Sequence, residues 1–163
     1  MVVAVSAAVL ESIVYRARVP CGSCLLESLS MLIPMDLVRT IIVETSDSQV
    51  IVLKERDGSR HLPILIGMNE ALAIDRRLKG LSTPRPMTHD LLAHLVERLG
   101  CELEQIVISD LRDHTFYATL VVRQNGHLIE VDSRPSDAIA LGVSSGTPIF
   151  VESHVLDEAS GND

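Results

Sequence analysis

Leu128-Ile129-Glu130-Val131-Asp132-Ser133-Arg134-Pro135-Ser136-Asp137-Ala138-Ile139-Ala140-Leu141 changes its periodicity half-way along. Up to Asp132 the side chains alternate, which puts Glu130 and Asp132 on one face of a strand and Ile129 and Val131 on the other. Pro135 suits the first turn of a helix, and Ala138, Ile139 and Leu141 carry that helix toward Gly146. A second strand-to-helix passage lies upstream: Arg60 to Ile66 reads as a strand, Gly67 ends it, and Asn69 is placed to cap a helix bearing Ala71, Ile74 and Leu78 before Gly80 stops it. The two helix starts read alike, Glu70-Ala71-Leu72-Ala73-Ile74 beside Asp137-Ala138-Ile139-Ala140-Leu141. Asp47 and Asp113, Gly58 and Gly126, and Glu70 and Asp137 are each 66 to 68 residues apart, the spacing of a duplicated strand-strand-strand-helix unit. Chance likeness between two β-rich segments is the alternative.

The remaining elements fit around these passages. Leu37 to Glu44 is rich in β-branched residues and closes on Ser46-Asp47-Ser48, so it reads as a strand, and Asp57-Gly58 turns the chain between two further strands from Val50 to Ile66. Leu81 to Met87, with prolines on both sides of Arg85, is a stiff loop. Thr88 is placed to cap a helix whose Leu91, Leu92, Leu95, Val96 and Leu99 share one side, ended by Gly100. Glu102 to Asp110 and Thr115 to Arg123 are strands, Asn125-Gly126 turns back into Leu128, and Ile149 to Val151 is a last short strand. The expected fold is α+β: a mixed, largely antiparallel sheet with about three helices. Residues 1–34 are expected to be an N-terminal extension or a start set too far upstream, 35–156 the domain, and 157–163 a frayed tail.

The chain has 163 residues, 47% hydrophobic and 22% charged, which is the make-up of one folded domain rather than a disordered chain. Aromatics are only 2%, too few for a base-stacking platform. A net charge of −8 disfavours stable coating of a nucleic acid, since such affinity comes from Lys and Arg displacing counterions. It counts less against a transient nuclease. Cys21, Cys24 and Cys101 make no disulfide framework, and one Cys-Gly-Ser-Cys run lacks the second pair that a zinc site needs. The apolar first ten residues are too short to span a bilayer and have no basic start, so the expected location is cytoplasmic, without membrane association. P-loop, Gly-x-Gly-x-x-Gly, His-Glu-x-x-His and Gly-x-Ser-x-Gly motifs are absent from the sequence, which removes the readings that rest on them.

Polar residues gather in four places: Glu70; Arg85 with His89 and Asp90; Asp110 with Asp113 and His114; and Asp132 through Arg134 to Asp137. A helix N-terminus can hold a phosphate or simply favour a carboxylate, so Glu70, Asp90 and Asp137 are open to both a functional and a structural reading. Asp132 and Arg134 are either site residues or a solvated ion pair. His89, four residues after Arg85, is a general-base or ligand candidate or else an ordinary first-turn residue.

In these stretches the sequence resembles the bifunctional nuclease domain family. The residues that carry the likeness are Leu62-Pro63-Ile64-Leu65-Ile66-Gly67 with Glu70-Ala71, Arg85-Pro86-Met87-Thr88-His89-Asp90-Leu91, Asp110-Leu111-Arg112-Asp113-His114-Thr115-Phe116-Tyr117-Ala118, and Asp132-Ser133-Arg134-Pro135-Ser136-Asp137-Ala138-Ile139-Ala140-Leu141. They run in order over about residues 36 to 156. The likeness departs where Leu65 replaces a usual aromatic, a conservative change on what is expected to be a buried strand. It implies an α+β domain that degrades DNA and RNA.

On that basis the expected reaction is metal-assisted phosphodiester hydrolysis, with DNA and RNA as transient substrates. Asp132 and Asp137, joined by Glu70, Asp90 or Asp113, would hold Mg²⁺ or Mn²⁺ through oxygen ligands. Arg85 and Arg134 would take phosphate oxygens, and His89 would activate water, so that His89, Asp90, Asp132 and Asp137 form the catalytic set. The alternative is a noncatalytic ligand-binding or oligomeric regulatory module in which the same acids and arginines pair with one another. A homodimer or higher homo-oligomer is expected from the high apolar content and the number of short strands.

Overall fold

Three tight turns set most of the architecture. The β2 strand (Ser48–Glu55) returns as β3 (His61–Gly67) through Asp57-Gly58, and β1 (Leu32–Ile41) lies antiparallel beside β2. In the second half, β4 (Cys101–Arg112) turns through Asp113-His114 into β5 (Thr115–Gln124), which turns through Asn125-Gly126 into β6 (His127–Ser133). β7 (Ile149–Glu152) joins the halves, antiparallel to β1 and parallel to β4, giving one sheet in the order β3-β2-β1-β7-β4-β5-β6. The other elements are α1 (Met68–Leu78), α2 (Thr88–Arg98), α3 (Pro135–Gly142) and α4 (Ser153–Ser160).

The computed structural model describes residues 31–43, 45 and 48–160. The expectations for residues 1–30, including Cys21 and Cys24, for Asp47, and for 161–163 lie outside the described residues. No helix among the described residues is long and apolar enough to cross a membrane.

Alternation along the strands sends Met35, Ile51, Leu53, Leu62, Ile106, Ile108 and Val151 into a core closed by Ile74 of α1, Ile139 of α3 and Leu156 of α4. The α+β class is as the sequence predicts: a mixed sheet in which β4 with β7 is the one parallel pair among the described strands. Strand order is repeated on either side of β7, each half ending in a helix, and Glu70 and Asp137 both occupy the third position of theirs.

Several local expectations are corrected. β1 begins at Leu32, not Leu37, because Leu32 to Met35 pairs with Glu152 to Ile149, a partner too remote in the chain to be read locally. There are four helices among the described residues rather than three. The fourth, α4, starts at Ser153 and runs through 157–160, where fraying is expected, because β7 delivers Val155 and Leu156 into the core. Asn69 and Thr88 are not caps. Gly67 and Met87 hold those positions, since β3 runs straight into α1 and the Asp90 carboxylate accepts the Met87 N–H at 2.9 Å. Leu65, expected to be buried, is 73% exposed on the edge strand β3.

At Gly142, a Cβ would lie 2.6 Å from Ile106 Cδ1 and 3.0 Å from Thr147 Cβ. The Gly142→Ala substitution should therefore overpack the joint between α3 and β4 and cost about 1–3 kcal/mol, seen as a lower urea midpoint with unchanged slope.

Candidate functional site

Three helix starts converge, and one arginine links two of them. Arg134, the residue before α3, donates from Nε to Asp137 Oδ2 at 2.7 Å and from Nη2 to Asp137 Oδ1 at 3.1 Å and to Glu70 Oε1 at 3.0 Å. Glu70 can reach it because the chain passes from β3 into α1 through a glycine: a Cβ at Gly67 would run into the Glu70 carboxylate. On the other side of Asp137, Oδ1 lies 3.1 Å from His89 Nε2 in the first turn of α2. A carboxylate only accepts, so Nε2 carries the proton and Nδ1 of the neutral ring presents a lone pair. Burial works against the Asp137 charge, but Arg134 and His89 outweigh it and hold the carboxyl below its ordinary range.

Asp90, next to His89, faces elsewhere. Its oxygens accept from Arg76 Nη2 at 2.9 Å and Arg77 Nη2 at 2.7 Å, as well as from the Met87 amide. Burial opposes the charge; the Met87 amide and the two guanidiniums together overcome it and bring the pKa to about 2. Arg77 is itself buried and donates from Nη1 to the Ala140 and Leu141 carbonyls and Ser144 Oγ, so one side chain ties α1 to α2 and to the end of α3.

The structure thus gathers Glu70, His89, Arg134 and Asp137, sets Asp90 in an adjoining ion-pair cluster, and leaves three predicted site residues apart. Asp132 stands opposite Thr119 on the edge strand β6, every residue of which is at least partly exposed, so the sequence's division of that strand into an acidic and an apolar face separates no core face from a solvent face. Asp113 is in the β4–β5 turn at φ 47°. Arg85 forms no ion pair with a described residue, while its carbonyl accepts from Thr83 Oγ1 at 2.6 Å. Among the described residues no three His, Cys, Asp or Glu side chains are grouped to hold a metal ion. The gathered acids are turned to Arg134, so the donor set does not fit Mg²⁺ or Mn²⁺ as it stands. Asp110 pairs with Arg112 and His154 rather than with Asp113 and His114.

Beside Arg134 opens a cleft of about 560 Å³, walled by Ile66, Leu111 and Phe116 and carrying His114, Arg134 and Ser136 as polar groups. The sequence places His114 in a polar cluster without giving it a role and gives none to Ser136. The usable signal for His114 is its turn: Asp113 and His114 both hold positive φ, 47° and 59°, in a two-residue hairpin that elsewhere in this chain uses Asn125-Gly126.

The model of the bifunctional nuclease domain matches residues 51–162, and the chain belongs to that family. It is 45% identical over 120 residues to an uncharacterized protein of Mycobacterium tuberculosis, covering 73% of this chain and 71% of that protein. Bifunctional nuclease 1 of Oryza sativa subsp. japonica is 27% identical over 116 residues, and that of Arabidopsis thaliana 27% over 109 residues. The matched stretches are 69% and 64% of this chain but only 35% and 34% of the plant proteins.

The depressed Asp90 pKa fixes a pH dependence. Its folded value of about 2 lies below the unfolded one near 3.8, so its contribution is fully present above pH ~5 and is lost as pH falls through that window. Asp90→Asn should cost on the order of 2 kcal/mol at pH 7 and much less near pH 2, measured by urea unfolding across pH.

Proposed function

We propose that this chain hydrolyses phosphodiester bonds of DNA and RNA at the junction of the Arg134 cleft and the His89–Asp137 pair. The observation that carries the reading is this junction itself: a guanidinium held by two carboxylates at a helix start, a histidine oriented by one of them, and an adjoining open cleft. Family membership supports it, as do the plant relatives whose names describe them as nucleases.

Arg134 Nη1, bonded to no described acceptor, and the Ser136 amide, the first N–H of α3 because Pro135 has none, offer donors to the nonbridging phosphate oxygens, while the Asp137 and Ala138 amides donate to the Arg134 carbonyl. His89 Nδ1 takes a proton from the attacking water, and Asp137 holds the ring in the tautomer that leaves Nδ1 free and stabilises the imidazolium that forms. His114, on the cleft wall, would hand a proton to the departing oxygen. The paired acids favour a second reading, a noncatalytic module whose ion pairs hold the helices in register.

Cleavage of labelled single-stranded DNA and RNA should fall by ~10²-fold or more in Arg134→Ala and in His89→Ala, with circular dichroism unchanged. Undiminished cleavage by both folded variants would remove the assignment, and absence of cleavage by the wild type would leave the noncatalytic reading. A chelator arm and Asp132→Ala test the divalent ion and the β6 acid separately.

A further inference from the structure

Surface helices ordinarily turn their apolar stripe to the core. In α2 the stripe faces out: Met87, Leu91, Leu95 and Leu99 follow one another at four-residue steps with Leu92 beside them, and all are exposed, Leu91 at 62%, Leu95 at 51% and Leu99 at 61%. The side toward the protein carries His89, Asp90, Ala93 and Val96, and none of the helix's residues is buried. It is tied to the body by the Asp90 pairs with Arg76 and Arg77, by the His89 contact with Asp137, and by Ala93 and Val96 packing against the core. The leucines are therefore not what holds α2 in place.

At 100° per residue Thr88 also falls within that sector, and Arg98, 20° from Leu91 on the Met87 side, is its one charge; the span from Leu91 through Leu95 and Leu99 to Leu92 carries none, so the contact a partner makes there is apolar. The five apolar side chains expose roughly 500 Å², near the upper end of the largest patch on a typical monomer. A homodimer interface of ~800 Å² per partner at ~65% apolar contains about that much apolar area on each side.

We propose that α2 is the self-association surface of this chain, two copies packing α2 against α2 antiparallel about a twofold axis near Leu95, so that Leu91 meets Leu99 of the second copy. The four-residue spacing makes the stripe self-complementary under that operation, and the surface stands independently of the nuclease reading. Two other occupants are conceivable, the chain's own residues 1–30 folding back on the stripe, or pairing between copies through the β3 edge at Leu65 leaving α2 uncovered.

The test is light-scattering mass on the full-length chain at ~10–100 μM, a range that populates a dimer of micromolar affinity. The wild type should show twice the chain mass, Leu91→Gln with Leu95→Gln should raise the dimer dissociation constant about tenfold or more, and Leu65→Gln should leave it unchanged. Because those leucines are exposed, the double variant should keep its far-UV spectrum. In a chain whose three cysteines are changed to serine, Leu95→Cys should cross-link to a covalent dimer on oxidation. A monomeric wild type, as capping by residues 1–30 would produce, overturns the proposal. So does an unaltered dimer in the double variant, dissociation by Leu65→Gln, or a dimer in which Cys at position 95 fails to cross-link.

Discussion

A buried guanidinium must find acceptors in fixed directions, and the helical layer of this protein is arranged around that requirement. Arg77, 5% exposed, donates to Asp90 of α2 and to the last carbonyls of α3. Leaving such a charge unpaired in the interior is strongly unfavourable, so α1, α2 and α3 are locked in register by it. That register sets Glu70 beside Arg134 and His89 beside Asp137. The candidate site is thus a consequence of how the helices are tied together and not only of what the site residues are.

β7 has the corresponding role in the sheet. Two three-stranded antiparallel units, each with an apolar face, are fused by four short residues that pair on both sides. The fusion leaves β3 and β6 as edges; on β3 the buried Leu62, Ile64 and Ile66 share one face, and Leu65 is exposed because it lies on the other. Pro63 interrupts the β3 edge, and Glu130 and Asp132 interrupt β6, devices that discourage strand addition. Along the exposed leucines of α2 the one charge is Arg98, at the border of the stripe.

The charged and polar side chains at the helix starts divide into two kinds. Asp90, Asp137 and Glu70 are already matched by arginines, which makes their charge a structural quantity with little left over for binding a further cation. Arg134 and His89 are the opposite case, because each uses only part of its bonding capacity within the protein. Arg134 lines the open cleft with Nη1 bonded to no described acceptor, and His89, which is not among the cleft's lining residues, has one ring nitrogen committed to Asp137.

The amino-acid sequence determined the alternation of Leu128 to Asp132, the helix start at Pro135, the hairpins at Asp57-Gly58 and Asn125-Gly126, and with them the α+β class, because each rests on contacts within a few residues. It also marked Glu70, His89, Arg134 and Asp137 as conspicuous. The leucine period of α2 was legible too, but not its direction, since a stripe shows amphipathicity without saying which side meets the core. Tertiary structure alone decided that β1 starts at Leu32, that α4 forms, that Asp132 and Asp113 stand away from the other acids, and that His114 lines the cleft. Each of those depends on a partner far along the chain, and the free energy of such a contact exists only once folding has brought the two segments together.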